Sequence, residues 1–293
     1  MQGVIKRTVR GLATRIFKLL KSKLGYVPPE RLFKHLHFMG PFDISLPNGE
    51  PLTLYSWGNR VENELAWRGW DGHEPHERRC WATMVLNARD ILDIGANTGT
   101  FAFTAKGLNP DSRVFAFEPI QRVAEKTRGN VSVSGLDVTV VESAVARERG
   151  NLPIYDPGGE NVYSASLDAQ FIDTEKESYL VPVISIDEFC ALNNADPEAI
   201  KLDVEGYEGE VLCGAQQLLA RGRCVILCEW LGASKSHSEA QSILEACDYL
   251  ALDVVQLEEV TLSETKSFEE RNVVLVHRDR AQAFVQSLTT MPS

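Results

Sequence analysis

No Cys-x-x-Cys pair occurs among the six cysteines (80, 190, 213, 224, 228 and 247), which argues against zinc ribbons and dithiol redox motifs. Scattered thiols of this kind suit a reducing cytoplasm. Cys224 and Cys228 flank the apolar core of one predicted strand and are expected as buried thiols. No apolar run approaches the length that spans a bilayer. Gly-x-Gly-x-x-Gly is absent, and so is Gly-x-x-x-x-Gly-Lys-Ser/Thr, the phosphate cradle of many nucleotide sites. Cations are in the minority: 30 Lys and Arg stand against 41 Asp and Glu, a net charge of −11. Nucleic acid is therefore not expected as a general partner.

What remains is ordinary globular composition, 44% hydrophobic and 24% charged. Acids are missing from one place. Residues 1–25 hold seven Lys or Arg and no acid, so a total of −11 leaves −18 for the rest. Val4, Val9, Leu12, Ile16, Leu19, Leu20 and Leu24 recur at helical spacing, which makes this a basic amphipathic helix. Charges interrupt its apolar stretch and no small-residue cleavage site follows, unlike a signal peptide. The helix suits peripheral contact with an anionic membrane surface. A helix docked on its own acidic domain, or one simply exposed, is the reading placed slightly ahead.

Tyr26-Val27-Pro28-Pro29 breaks that helix. Residues 26–77 read as a hairpin and cap region. Asn48-Gly49 lies between alternating runs at 42–46 and 51–55, a hairpin signal. A helical stretch with Asn63, Glu64 and Trp67 follows, and then the polar cluster from Trp70 to His76.

The main domain, 78–293, is organised around Ile91-Leu92-Asp93-Ile94-Gly95-Ala96-Asn97-Thr98-Gly99. An apolar strand ends at an acid and two glycines, and a helix with Phe101, Ala102 and Ala105 on its apolar face follows. This is the first half of a βαβ nucleotide-binding unit. Val114-Phe115-Ala116-Phe117 is a second strand, ending at Glu118-Pro119. Glu118 stands about where such folds place the carboxylate that takes a ribose diol, roughly 20 residues on. With no pyrophosphate cradle, a nucleoside ligand fits better than NAD or ATP, and S-adenosylmethionine is one. Strands are predicted at 91–94, 113–118, 137–142, 199–204, 224–229, 248–256 and 272–277. Helices are predicted at 78–86, 98–107, 120–130, 186–193, 207–221 and 236–246. Strands alternating with helices imply a mostly parallel sheet. The stretch 150–185 reads as long and irregular.

Ala199 to Gly206 is the most chemically loaded strand end. Asp203 and Glu205 share a face while the chain is extended, and Glu229 ends the next strand. Adjacent carboxylates raise one another's pKa, which suits a general base or a metal site. His73, His76 and His237 are the histidine candidates for proton transfer.

These pieces together resemble the FkbM-type S-adenosylmethionine-dependent methyltransferases. The matching stretches are Glu74-Pro75, Leu92 to Gly99, Ala116 to Pro119, Glu142 to Val145, Ser164 to Leu167 and Val183 to Glu188. The most specific is Ile200 to Glu208, with Val211 to Ala215 behind it. The resemblance covers roughly residues 70–277. It implies a Rossmann-like class I methyltransferase fold: a mostly parallel, seven-stranded α/β sheet, last strand antiparallel, with helices on both faces. It implies O-methylation of a hydroxyl on a sugar, glycan or secondary metabolite. Asp93, Gly95, Asn97 and Gly99 would shape the methionine end, Glu118 would hold the ribose, and Ser143 and Ala144 would lie by the adenine. Glu74, Pro119 and Asp203 complete the implied cofactor set. Glu205, Asp203 or Glu229 would remove the acceptor's proton, directly or through a divalent ion that they hold. A nucleoside-binding module without catalysis and an NAD-type oxidoreductase are the alternatives, and the missing third glycine argues against the second.

Overall fold

The computed structural model describes residues 13–21, 23–156, 177–231, 236–262 and 270–290. Ser164 to Leu167 lies outside the described residues. The basic helix is present over 13–21 (α1), and a single turn, α2 (Glu30–Phe33), follows. Ala13 and Phe17 of α1 pack on Phe33, Leu36 and Trp67. Lys18 stands 3.6 Å over the Phe38 ring, and Lys21 donates to the Ala66 carbonyl. The opposite side of α1 leaves Ile16 50% and Leu19 59% exposed. No helix among the described residues is long and apolar enough to cross a membrane.

The hairpin is β1 (Met39–Ser45) and β2 (Pro51–Trp57), antiparallel. Its inward residues Phe42, Ile44, Leu52 and Leu54 join the same apolar core as Val85, Phe101 and Ala102. Helices α3 (Arg60–Arg68) and α4 (Pro75–Val85) lead to β3 (Asp90–Ile94). Glu62 reaches back to the Asn59 N–H at 3.1 Å, closing the first turn of α3. Its other oxygen accepts from Thr98 Oγ1 at 2.7 Å, so α3 also clamps the turn after β3.

Next come α5 (Thr100–Leu108), β4 (Arg113–Phe117), α6 (Gln121–Ser134) and β5 (Val138–Val141). The stretch expected to be irregular contains a small sheet: β6 (Ala144–Val145), β7 (Gly150–Asp156) and β8 (Glu177–Ile184), with β8 central. Then α7 (Ile186–Asn193) leads to β9 (Ala199–Leu202). The single helix expected over 207–221 is two, α8 (Glu208–Cys213) and α9 (Gln216–Leu219). Asp187 enforces the break, because its carboxylate accepts from the Gln217 and Leu218 N–H groups and so caps a new helix start. The chain finishes with β10 (Val225–Leu231), α10 (His237–Ala246), β11 (Tyr249–Asp253), β12 (Glu259–Val260), β13 (Glu270–His277) and α11 (Arg278–Thr290).

The main sheet runs β12-β11-β13-β10-β9-β3-β4-β5. β5, β4, β3, β9 and β10 are parallel, and β13 is antiparallel between β10 and β11. The expected seven strands are thus eight. Past Asp253 the chain turns back, with the Asp253 N–H on Glu258 O at 2.9 Å, and β12 pairs on the edge of β11. Ile91 belongs to one apolar layer and Leu92 and Ile94 to the other, the period-two signature of a strand buried on both faces.

Chain direction across the sheet reverses between β3 and β9. There Asp203 N–H donates to Ile94 O at 3.0 Å, and the Gly95 backbone lies against the Asp203 carbonyl. A Cβ on Gly95 would sit 1.7 Å from that oxygen, and Gly95 has φ 81°. Gly49 in the hairpin turn has nearly the same φ, 84°, but open space around it. Gly49→Ala therefore isolates the conformational cost, about 1–2 kcal/mol. Gly95→Ala adds a backbone collision and is expected to cost at least about 3 kcal/mol more. Urea denaturation of both variants checks this, and equal losses would contradict it.

Candidate active site

In an open α/β sheet, ligands bind outside the carboxyl ends of the strands at the point where strand order reverses. A cavity of about 420 Å³ lies there, between the turns after β3 and β9. Asp93, Gly95 and Asn97 line it from the first turn, Asp203 and Glu205 from the second, and Glu229 from β10. Glu118 and Pro119 close it beyond β4, Ser143 and Ala144 beyond β5, and Glu74 from the start of α4. Of the cofactor and catalytic candidates, only Gly99 is off the wall. It starts α5 at φ 84°, and a Cβ there would meet Phe103 and Thr127, so it shapes the turn from behind. His73 lines the cavity, whereas His76 is exposed on α4 and His237 is buried against Trp230, ring centroids 4.6 Å apart.

Each acid is held by something different. Asp93 is buried and accepts the Ala102 N–H at 2.9 Å, satisfying an early donor of α5 that Gly99 cannot cap. Burial pushes its carboxyl up to about 7, against the pull of Lys201. Glu118 accepts the Asn97 N–H at 3.1 Å and the Ile120 N–H at 2.9 Å, one on each oxygen. Burial still pushes it up to about 8. The two backbone bonds fix the carboxyl group and leave hydrogen-bonding capacity on both oxygens. Burial would also raise Glu74, but the His73 hydrogen bond and the charges of Lys201 and Arg78 bring it down to about 2. His73 bridges Glu64 at 2.8 Å and Glu74 at 3.2 Å. Burial opposes its charge, yet the two carboxylates raise its pKa. Glu229 is pushed well up by burial and by Asp203, with which it is hydrogen-bonded, so it keeps its proton.

Two residues at the cavity were not singled out from the sequence. Arg78 is buried under it, donating to His73 O at 2.9 Å and standing 4.8 Å from the Phe101 ring. Lys201 is 3% exposed in the middle of β9, with Nζ 3.0 Å from Asp203 Oδ2. The signal was legible: a lysine inside Ala-Ile-Lys-Leu, a stretch that otherwise reads as fully buried. Burial would strip its proton, but the charges of Asp203 and Glu74 more than reverse this and hold it charged.

Among the described residues no group of three or more His, Cys, Asp or Glu is arranged to hold a metal ion. Asp203 is engaged by Lys201 and by the Glu229 proton, so the donor set does not fit a resident divalent ion. Backbone strain also gathers here. Glu74, Asn97 and Glu205 have φ of 47°, 51° and 54°, in the left-handed region that non-glycine residues avoid.

Raised native pKa values make stability pH-dependent. Asp93 and Glu118 hold protons in the folded chain above the pH at which they lose them unfolded. Folding stability contributed by these protons is complete at low pH and is lost as pH rises from about 4 through about 7 and 8. His73 has the same sign, its stabilising charge being lost as pH rises through its folded pKa. The denaturation midpoint of the unliganded protein should thus fall between pH 5 and 8. Asp93→Asn should flatten the slope, and an unchanged slope would contradict the assignment.

The chain matches the family model described as the methyltransferase FkbM domain over residues 93–251. It is 25% identical over 150 residues to the 2-O-methyltransferase NoeI of Sinorhizobium fredii, covering 46% of this chain. It spans 60% of that relative's length. Among solved structures it is similar to the methyltransferase FkbM from Methylobacillus flagellatus, with a TM-score of 0.40 and 16% identity over 64% of this chain and 43% of that one. It is also similar to an O-methyltransferase from Bacillus cereus in complex with SAH, with a TM-score of 0.37 and 16% identity over 69% and 80% of the two chains. The family match runs from Asp93 at the end of β3 to Ala251 in β11 and takes in both turns of the cavity, so this chain belongs to the FkbM methyltransferase domain family.

Proposed function

We propose that the protein is an S-adenosylmethionine-dependent O-methyltransferase acting on a hydroxyl of a sugar, glycan or secondary metabolite. The observation that carries this is the pairing at one cavity of Glu118, fixed by a backbone N–H on each oxygen, and the acid group of Asp203, Glu205 and Glu229. A buried carboxyl group of the first kind, held with hydrogen-bonding capacity on both oxygens, suits a ribose diol. Acids of the second kind suit proton removal from an alcohol. The relative described as a 2-O-methyltransferase supports an oxygen acceptor.

In this reading Asp93, Gly95 and Asn97 take the methionine end, with Gly99 setting the turn. Pro119, Ser143 and Ala144 border the adenine. Glu74 and Asp203 carry charge toward the sulfonium. The bound cofactor supplies an activated methyl group with its own leaving group. The protein's tasks are to hold the acceptor oxygen in line and to take its proton. Glu229 already holds a proton, and Asp203 is tied to Lys201 and Glu229. Glu205, half-buried on the wall before Gly206, is the base of choice. Incubation with candidate glycans and polyols should give products one methyl heavier. Glu205→Gln should lower kcat by roughly two to four powers of ten, with cofactor affinity changed less than severalfold. A Gln variant that methylates at the wild-type rate would remove Glu205 from this role.

The N-terminal pole supports peripheral contact with an anionic membrane surface. α1 docks through Ala13 and Phe17, with Lys18 and Lys21 turned onto the protein. Arg15, Ile16, Leu19 and Lys23 face outward, and Leu24 is 74% exposed. Ile16→Glu with Leu19→Glu should abolish sedimentation with phosphatidylglycerol vesicles while leaving turnover of a soluble acceptor intact. Equal sedimentation of both forms would sink the membrane reading.

A further inference from the structure

We propose that Lys201 is a catalytic residue whose ammonium stands beside the acceptor oxygen and stabilises the negative charge that develops there. The inference rests on the methyl-transfer reading of the same cavity.

Lys201 pairs with Asp203, but the strand itself does not call for a lysine here. Its neighbours Ala199, Ile200 and Leu202 are fully buried, and burying an ammonium is costly even beside a carboxylate. An apolar side chain would serve the sheet as well or better. Yet the chain extends Lys201 to the cavity wall, past the face of Phe101 at 5.1 Å, and ends 3.0 Å from Asp203 Oδ2. An ammonium has three N–H donors. One goes to Asp203, and no described residue takes a hydrogen bond from the other two. A 3% exposed cation with unspent donors at a cavity wall is a built site for an oxygen ligand.

The charges explain the choice of ligand. Asp203, itself hydrogen-bonded by the proton-bearing Glu229, holds the ammonium. Lys201 and Glu205 line the same cavity. The acceptor O–H bond breaks, and its proton passes to Glu205. The oxygen's electron pair forms the bond to the methyl carbon, and the carbon–sulfur bond breaks with its pair remaining on sulfur. Negative charge grows on oxygen while Glu205 is neutralised, so a fixed cation gains attraction where the oxyanion forms. Donors placed in advance at a developing oxyanion are typically worth about 100- to 1,000-fold in rate. This is the part a divalent ion plays elsewhere, and among the described residues the carboxylates are not grouped to hold one.

The test uses the full chain with Lys201→Met and Lys201→Gln. Methyl transfer is measured at saturating S-adenosylmethionine, and binding of S-adenosylmethionine and S-adenosylhomocysteine by calorimetry. Each variant is expected to lower kcat about 100-fold or more, with KM for the acceptor changed less than severalfold. Removing a cation near the sulfonium should also favour the charged cofactor over its neutral product by at least about threefold, whereas a merely structural defect weakens both alike. Chelators should leave the wild-type rate unchanged. The proposal is overturned if either variant folds and keeps kcat within threefold of wild type, or if neither variant folds. It is also overturned if chelation abolishes activity and Mg²⁺ restores it. A wild-type chain that binds no S-adenosylmethionine would instead overturn the methyl-transfer reading itself.

Discussion

The rest of the site depends on one close approach, the Gly95 backbone against the Asp203 carbonyl. β3 and β9 are hydrogen-bonded neighbours, yet the chain leaves them toward opposite halves of the sheet. Each must turn away at once after its last paired residue. Only a residue without Cβ lets the first turn pass the second, and the 1.7 Å clearance for an added carbon shows how little room there is. From that contact the two turns diverge, and the cavity is the space between them. The N-terminal elements then hold the arrangement from outside. Glu62 takes the Thr98 hydroxyl, and Asn130 joins the Thr98 carbonyl to the Tyr55 N–H of the hairpin.

The second organising feature is electrical. Six of the described acids line one cavity, an arrangement that would be prohibitive if all were ionised and unpaired. The protein solves this in two ways. Cations take Glu74 and Asp203, and Glu229 keeps a proton, as do Asp93 and Glu118, on their backbone N–H partners, up to about pH 7 and 8. The group therefore carries fewer negative charges than its composition suggests. Charge remains where the proposed cofactor is positive, and Lys201 supplies the one deeply buried cation of the wall.

Much of this was legible in the sequence because it is local. The strand, Gly-rich turn and helix after Ile91 need only nearest neighbours to form. Glu118 was found by spacing, and Asp203 and Glu205 by their place at a strand end. What was not legible depends on distant partners. Asp187 splits the helix after Tyr207 by capping from another element. The eighth strand is two residues on an edge, too short for any periodic pattern. β8 pairs with β7 on one side and β6 on the other, outside the main sheet's alternation. α11 was missed, since its apolar positions are few and only Phe284 and Leu288 are buried. Glu229 shows the same limit in the site. Its identity is plain in the sequence, but that it holds a proton follows only from burial beside Asp203.

Hydrogen exchange with and without S-adenosylmethionine tests the central claim most directly, because it reports on the binding site without needing the acceptor. The account predicts slowed exchange confined to the turns around the cavity, residues 73–74, 94–98, 118–121, 143–145 and 203–206, with no comparable protection by NAD. Protection elsewhere in the chain, or equal protection by NAD, would contradict it.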